Sequence, residues 1–228
     1  MGTTIEFPTS SGEKARGYLA TAADGAPGVL VIQEWWGLVP QITATCDRFA
    51  DAGLTALAPD LYDGRTVPLD EPDEAAKEMM NLKVATAAAD LSGAVDELVA
   101  RTGRGGVGAV GYCMGGGLAL KVAADRPDAV AAVVPCYGVY AWEEGAPDYA
   151  AMTAATQIHC AGLDDWFTPA AAGELAATLR GLGRTVELYV YDDAHHAFAN
   201  EERPEVHDAA AAKTMFDRTV AFFGVHLR

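Results

Sequence analysis

Between the apolar run Val107-Gly108-Ala109-Val110 and the Ala- and Leu-rich run from Gly117 to Ala124 lies Gly111-Tyr112-Cys113-Met114-Gly115-Gly116. This order confines the chain to folds in which a buried strand passes through one tight turn straight into a helix. So sharp a turn strains the backbone of its central residue, and glycines on either side remove the Cβ atoms that would clash. The centre of the turn is a cysteine. Its thiol is thereby pushed out at the carboxyl edge of a sheet, facing the free N–H groups and positive dipole end of the following helix, a setting that favours thiolate and a later oxyanion. Free cysteine is more often a buried small apolar residue. The two glycines together with the flanking strand and helix favour a nucleophile instead.

The rest of the chain supplies the sheet this turn needs. Val29-Leu30-Val31-Ile32-Gln33 is a continuous apolar run, as expected of a strand covered on both faces. A helix follows with Ile42, Cys46, Phe49 and Ala50 at helical spacing, then the strand Leu54 to Ala58. A polar, acidic loop from Leu61 to Pro72 leads to a long Ala-rich helical stretch from about Asp73 to Arg101. Strands at Val130–Val134, Gln157–Ala161 and Thr185–Val190 alternate with helices over Pro169–Leu182 and Val206–Phe223. The alternation predicts a single α/β domain over 1–228, a mostly parallel central sheet with helices on both faces. Ligands of such sheets bind beyond the carboxyl ends of the strands.

The chain has 228 residues and a formal charge of −16, and both bound its partners. Nucleic acid and anionic membrane need a basic face, so neither is expected. The N-terminus carries no basic and apolar leader, and no apolar stretch reaches membrane-span length, so a soluble, cytoplasmic protein is expected. Cysteines at 46, 113, 136 and 160 show no metal-type spacing and are read as reduced thiols, with no metal or cofactor implied. The large acidic charge makes a monomer the default expectation.

A thiol nucleophile needs a base within reach, and the base needs a group to fix its tautomer. Gly162-Leu163-Asp164-Asp165-Trp166-Phe167-Thr168-Pro169 follows one strand, and Tyr191-Asp192-Asp193-Ala194-His195-His196-Ala197-Phe198 follows the next. Nucleophile, acid, histidine is the chain order of the α/β-hydrolases. Each pair is doubled. The spacing after Gly162 and before Pro169 favours Asp165 over Asp164, and the apolar residues that follow favour His196 over His195. His159, in a strand, and His207 and His226, in the last helical segment, have structural readings and no motif.

Gln33-Glu34-Trp35-Trp36-Gly37, the Cys113 turn, Asp165-Trp166-Phe167-Thr168-Pro169 and Ala194-His195-His196-Ala197-Phe198-Ala199 occur in this order across nearly the whole chain. In this combination the sequence resembles the dienelactone hydrolase (carboxymethylenebutenolidase) family, of α/β-hydrolase fold. The resemblance implies Cys113 as nucleophile, His196 as base and Asp165 as its orienting acid. It implies that Glu34 contacts the thiol in the resting state and is displaced when substrate binds. It also implies an oxyanion hole from the backbone N–H groups of Met114 and Trp35, and pocket walls from Trp36 and Tyr137. One departure is visible: an arginine that other members carry four residues after the histidine is Asn200 here. The resemblance also places an arginine in the segment after the second strand, for which Arg65 and Lys77 are the candidates, and Arg203 is the candidate substitute for the cation missing at Asn200.

The expected activity is therefore cysteine-dependent opening of small lactones such as dienelactone through a thioester. A broader carboxylesterase or thioesterase is the neighbouring reading. A non-catalytic binding protein or a thiol redox sensor, paired through Cys136 or Cys160, is the reading from another class.

Overall fold

The apolar runs become the middle of one eight-stranded sheet in the computed structural model of the chain, which describes residues 1–138 and 140–227. The strands are β1 (Thr3–Pro8), β2 (Lys14–Ala20), β3 (Gly28–Ile32), β4 (Thr55–Pro59), β5 (Val107–Tyr112), β6 (Val130–Cys136), β7 (Ala155–Leu163) and β8 (Val186–His195). They lie in the order β1-β2-β4-β3-β5-β6-β7-β8. β3 to β8 run parallel to one another, while β2 pairs antiparallel with both β1 and β4. This is the mostly parallel α/β sheet that the alternation implied, in the α/β-hydrolase arrangement that the resemblance implied. Every residue of β3, β4 and β5 is buried, because helices cover both faces and leave no side for polar residues.

The helices are α1 (Pro40–Asp51), α2 (Pro72–Asn81), α3 (Val84–Thr102), α4 (Met114–Asp125), α5 (Pro169–Gly181) and α6 (Ala209–His226). α1 and α6 pack on one face through Ile42, Cys46, Phe49, Met215, Phe222 and Phe223, while α3 and α4 bring Leu91, Val95, Leu98 and Leu118 to the other. Complete burial of side chains such as Ile42 and Phe49 is worth about 1.5–3 kcal/mol each. α5 has its own small core of Ala172 and Ala176 against Ile158 and Cys160 of β7. Thr168 starts α5 by accepting the Ala171 N–H at 3.2 Å, with Pro169 at the first helical position. No helix among the described residues is long and apolar enough to cross a membrane.

Three features differ from what the sequence pattern predicts. The Ala-rich stretch is two helices, broken at Leu82 and Lys83, whose backbones are extended. No glycine or proline marks this break. The Met79 carbonyl in the last turn of α2 accepts the Leu82 N–H at 3.2 Å and also the indole N–H of Trp142 at 3.1 Å, a partner far away in sequence. The N-terminal hairpin of β1 and β2 is an addition to the predicted elements, because most β1 side chains are exposed at the sheet edge and leave a faint pattern. The last helix begins at Ala209 rather than near Val206, since the Asp208 carboxylate caps it by accepting N–H groups of Ala210 and Ala211, both at 3.0 Å.

Candidate active site

Five strand ends, those of β3, β5, β6, β7 and β8, converge at the carboxyl edge of the sheet. Parallel pairing sets Ile32 beside Gly111 and Tyr112 beside Cys136. The residues just beyond these strands, Glu34 and Trp35, Cys113, and Tyr137, therefore meet. Cys113 has φ 54° and ψ −121° and stands immediately before the first turn of α4. Its backbone is pinned on both sides: the N–H donates to the Cys136 carbonyl at 3.1 Å, and the carbonyl accepts from Gly116 at 2.9 Å. A Cβ at Gly111 would run into the carbonyl of Gly115, and one at Gly116 into the backbone of Gly138. The turn is thus closed against any larger residue at these two positions. Tyr137 and Ala197 also hold positive φ values, 40° and 65°. Three of the strained non-glycine residues thus surround one site, as is common where function over-determines the backbone.

The acid is Asp164. Its Oδ2 lies 2.7 Å from His196 Nδ1, and its Oδ1 accepts the N–H groups of Trp166 and Phe167 at 2.8 and 3.0 Å. Asp165, the residue favoured from the sequence, is exposed at the rim of the cavity and makes no contact of this kind. The reason is register. Ala161 pairs with Tyr191 and Leu163 with His195, so β7 advances two residues while β8 advances four. This irregularity sets the residues that follow, Asp164 and His196, side by side and turns Asp165 outward. Because a carboxylate only accepts, Nδ1 of His196 carries a proton towards Asp164, and Nε2 is the ring nitrogen not engaged by it.

Burial alone would lower the affinity of His196 for a proton, but the hydrogen bond to Asp164 and the neighbouring Cys113 outweigh it and raise the imidazole to about 10. An unfolded-chain histidine titrates near about 6.5. The stabilisation from this pairing is therefore fully present below the unfolded value and is lost as pH rises through the folded one. The stability gap between wild type and His196→Gln, read from urea denaturation, should be widest at about pH 6 and shrink by about pH 10. A gap that stays constant across that range would contradict the pairing.

Glu34 is fully buried, and burial drives its carboxyl above the usual range against the opposing pull of its partners. Those partners are the Asn200 side-chain amide, which donates to Oε2 at 2.8 Å, and the Tyr137 hydroxyl, which donates to Oε1 at 3.2 Å. Among the described residues Glu34 makes no hydrogen bond to Cys113, so the resting contact implied by the resemblance is not the arrangement found. Trp36 and Tyr137 do not wall the cavity either. They are 1% and 0% exposed, held in the core behind it, where Tyr137 serves Glu34 and Trp36 underlies the Arg203 guanidinium at 5.6 Å.

The cavity itself has a volume of about 490 Å³ and is lined by Cys113, His196, Met114 and Trp35, with Met79, Met80, Ala141, Leu163, Trp166 and Val206 as its apolar wall. Sequence reasoning misses Trp166 and the two methionines. Trp166 stands in a motif block and is detectable as an indole beside the Asp164-Asp165 pair, whereas Met79 and Met80 come from the last turn of α2, outside every motif. Neither the Trp35 nor the Met114 backbone N–H has a hydrogen-bond partner among the described residues. Both donors sit on residues that line the cavity beside the thiol.

The model of the dienelactone hydrolase family matches residues 15–227. The chain belongs to that family. Protein usf of Aquifex pyrophilus is 36% identical over 235 residues, with 100% of both chains covered. Carboxymethylenebutenolidase 1 of Cupriavidus pinatubonensis is 29% identical over 215 residues, covering 90% of each chain. A crystal structure of dienelactone hydrolase from Anabaena variabilis has the same fold, with a TM-score of 0.71 at 21% identity over 100% of this chain and 99% of that one. This dienelactone hydrolase family member is a hydrolase whose cations are arranged in its own way. Arg65 pairs with Glu78 at 3.1 Å and Lys77 with Glu74 at 3.3 Å, both as exposed surface pairs. Arg203 alone of the three lines the cavity, and its Nε is engaged by Glu205 at 2.8 Å. Asn200 is a buried neutral partner of Glu34 at the position where the resemblance places a cation in other members.

Proposed function

We propose that the protein hydrolyses small lactones and esters through a thioester on Cys113, with His196 as base and Asp164 as the acid that orients it. The observation that carries this reading is the 2.7 Å contact of His196 Nδ1 with buried Asp164 beside a thiol on a strained turn that opens into the cavity. With its imidazole raised to about 10, His196 already holds the thiol proton on Nε2 at neutral pH, so Cys113 Sγ attacks the carbonyl carbon as a thiolate. The tetrahedral oxyanion lies between the Met114 and Trp35 N–H groups, which have nothing else to bond and so stabilise the charge where it develops. Collapse expels the alkoxide or enolate, which receives the proton held by His196. Water activated by the same imidazole then attacks the thioester, and the acid leaves with Cys113 restored. Glu34, close enough to influence His196, contributes a buried carboxyl whose Asn200 and Tyr137 hydrogen bonds keep it from being an isolated charge.

The broader esterase reading is favoured by one feature, the mostly apolar cavity wall with its single arginine already engaged by Glu205. The disulfide sensor is disfavoured. Cys46, Cys136 and Cys160 are buried, and burial raises all three thiols, Cys160 to about 12, so none is poised as the resolving thiolate. The test is turnover of cis- and trans-dienelactone beside p-nitrophenyl acetate, with intact-mass detection of the acyl group on Cys113 in rapidly quenched samples. An acyl adduct on that peptide is the expected result. Turnover with no adduct, unaffected by blocking of the thiol, would sink the cysteine mechanism.

A further inference from the structure

We infer that Trp166 forms a binding subsite for a neutral, aromatic or bulky apolar group on the alcohol side of the scissile ester. This inference rests on the reading of Cys113 as nucleophile and His196 as the group that protonates the leaving oxygen. Trp166 is 62% exposed, an unusual fate for an indole, and it is one of the residues that line the cavity. Its ring meets Trp35 edge-on at 5.8 Å and lies 6.4 Å from the His196 imidazole.

The backbone beneath the indole is held fast. The Trp166 N–H donates to Asp164 Oδ1 at 2.8 Å, the next residue, Phe167, is buried and donates to the same oxygen, and Thr168 caps α5. A large aromatic surface on so fixed a support loses little freedom when a ligand covers it. Nothing else in the mechanism uses it.

The side of the substrate it meets follows from proton transfer. Whatever oxygen takes the proton from His196 must lie against that imidazole, so the group attached to that oxygen extends towards the elements flanking His196. Those elements are Trp166 and Leu163, the latter 51% exposed on the same strand end. Asp165 stands exposed at this rim, and the cavity's arginine, Arg203, is engaged through Nε by Glu205, so the surroundings of Trp166 favour a neutral alcohol group over an anionic one. A cavity of about 490 Å³ has room beyond a small lactone ring. The chemistry that fits is a benzyl-like or branched apolar alcohol in a neutral ester, or a lactone substituted on its ring-oxygen side.

Three esters test this: methyl acetate, benzyl acetate, and methyl phenylacetate, the isomer of the second with its ring moved to the acyl side. Methanol and benzyl alcohol are similarly acidic, so leaving-group reactivity does not drive the comparison. Wild type should prefer benzyl acetate over methyl acetate in kcat/KM by about tenfold or more, the scale of one good aromatic contact with its buried area. Trp166→Gln, which keeps the backbone N–H to Asp164, should cut that preference about tenfold, mainly through KM, and Trp166→Phe should retain most of it.

An unchanged preference in Trp166→Gln, or losses equal for all three esters, would overturn the subsite and leave only a structural role. A loss concentrated on methyl phenylacetate would overturn its assignment to the alcohol side. These failures leave Cys113-dependent hydrolysis standing. Ester turnover that survives Cys113→Ala, or no ester turnover in wild type, overturns the underlying reading and the subsite with it.

Discussion

Cys113→Ala should lower kcat/KM for ester hydrolysis by about 10⁴-fold or more, Asp164→Ala by about 10³–10⁴-fold, and Asp165→Ala by no more than about threefold. The first two remove groups that act as one unit. Without the thiol no acyl-enzyme forms, and without Asp164 the imidazole loses the bond that holds its Nδ1 proton and leaves Nε2 free for the sulfur. Asp164→Ala also strips the acceptor from two backbone N–H groups, those of Trp166 and Phe167, so some loss of stability accompanies the loss of rate. Asp164→Asn separates the two effects, since its amide oxygen still accepts from the loop while its NH₂ cannot accept from Nδ1. It should be nearly as slow as Asp164→Ala but closer to wild type in denaturant midpoint. Steady-state kinetics on one p-nitrophenyl ester with parallel urea melts reads all four variants. Equal losses for Asp164→Ala and Asp165→Ala would contradict the register of β7 and β8 that sets Asp164 against the histidine.

Gly111→Ala should destabilise the fold by about 3 kcal/mol or more and leave little active protein. Its Cβ would meet the Gly115 carbonyl and neighbouring backbone, which unlike a side chain cannot rotate away. The turn could accept it only by opening, and opening would move Cys113 off the end of α4. Gly173→Ala is the control. Gly173 lies within α5 with open space where a Cβ would be, so alanine there should raise stability by about 0.4–1 kcal/mol through reduced freedom of the unfolded chain. Urea midpoints with unchanged slopes would measure both. A tolerated Gly111→Ala would mean that the Cys113 turn is less crowded than described.

The two predictions draw on different kinds of legibility. The Cys113 turn is legible in the amino-acid order, because its glycines, apolar strand and helix are contiguous and the steric demand that links them is local. The alternation that produces the parallel sheet is equally plain, since a strand covered on both faces must be apolar throughout. His196 is legible for the same local reason, two residues before a buried Phe198 just past a strand. Other features have causes distributed over the chain. The break at Leu82 and Lys83 carries no helix-stopping residue and is met by Trp142, a distant residue whose indole donates to the Met79 carbonyl in the last turn of α2. Trp36 and Trp35 are adjacent and chemically alike, yet one is sealed in the core and the other lines the cavity.

What the amino-acid order alone determined was the strand–turn–helix around Cys113, the parallel α/β sheet and the presence of an acid and a histidine at successive strand ends. These follow from steric rules and apolar periodicity that act within a few turns of helix or one strand length. Only the tertiary structure decided which member of the Asp164-Asp165 pair meets His196, that Glu34 is held by Asn200 and Tyr137, and that Trp166 lines the cavity. Each of these depends on the relative register of elements far apart in sequence. A shift of one residue along a strand end turns a side chain from the site to the solvent, and no local preference distinguishes the two.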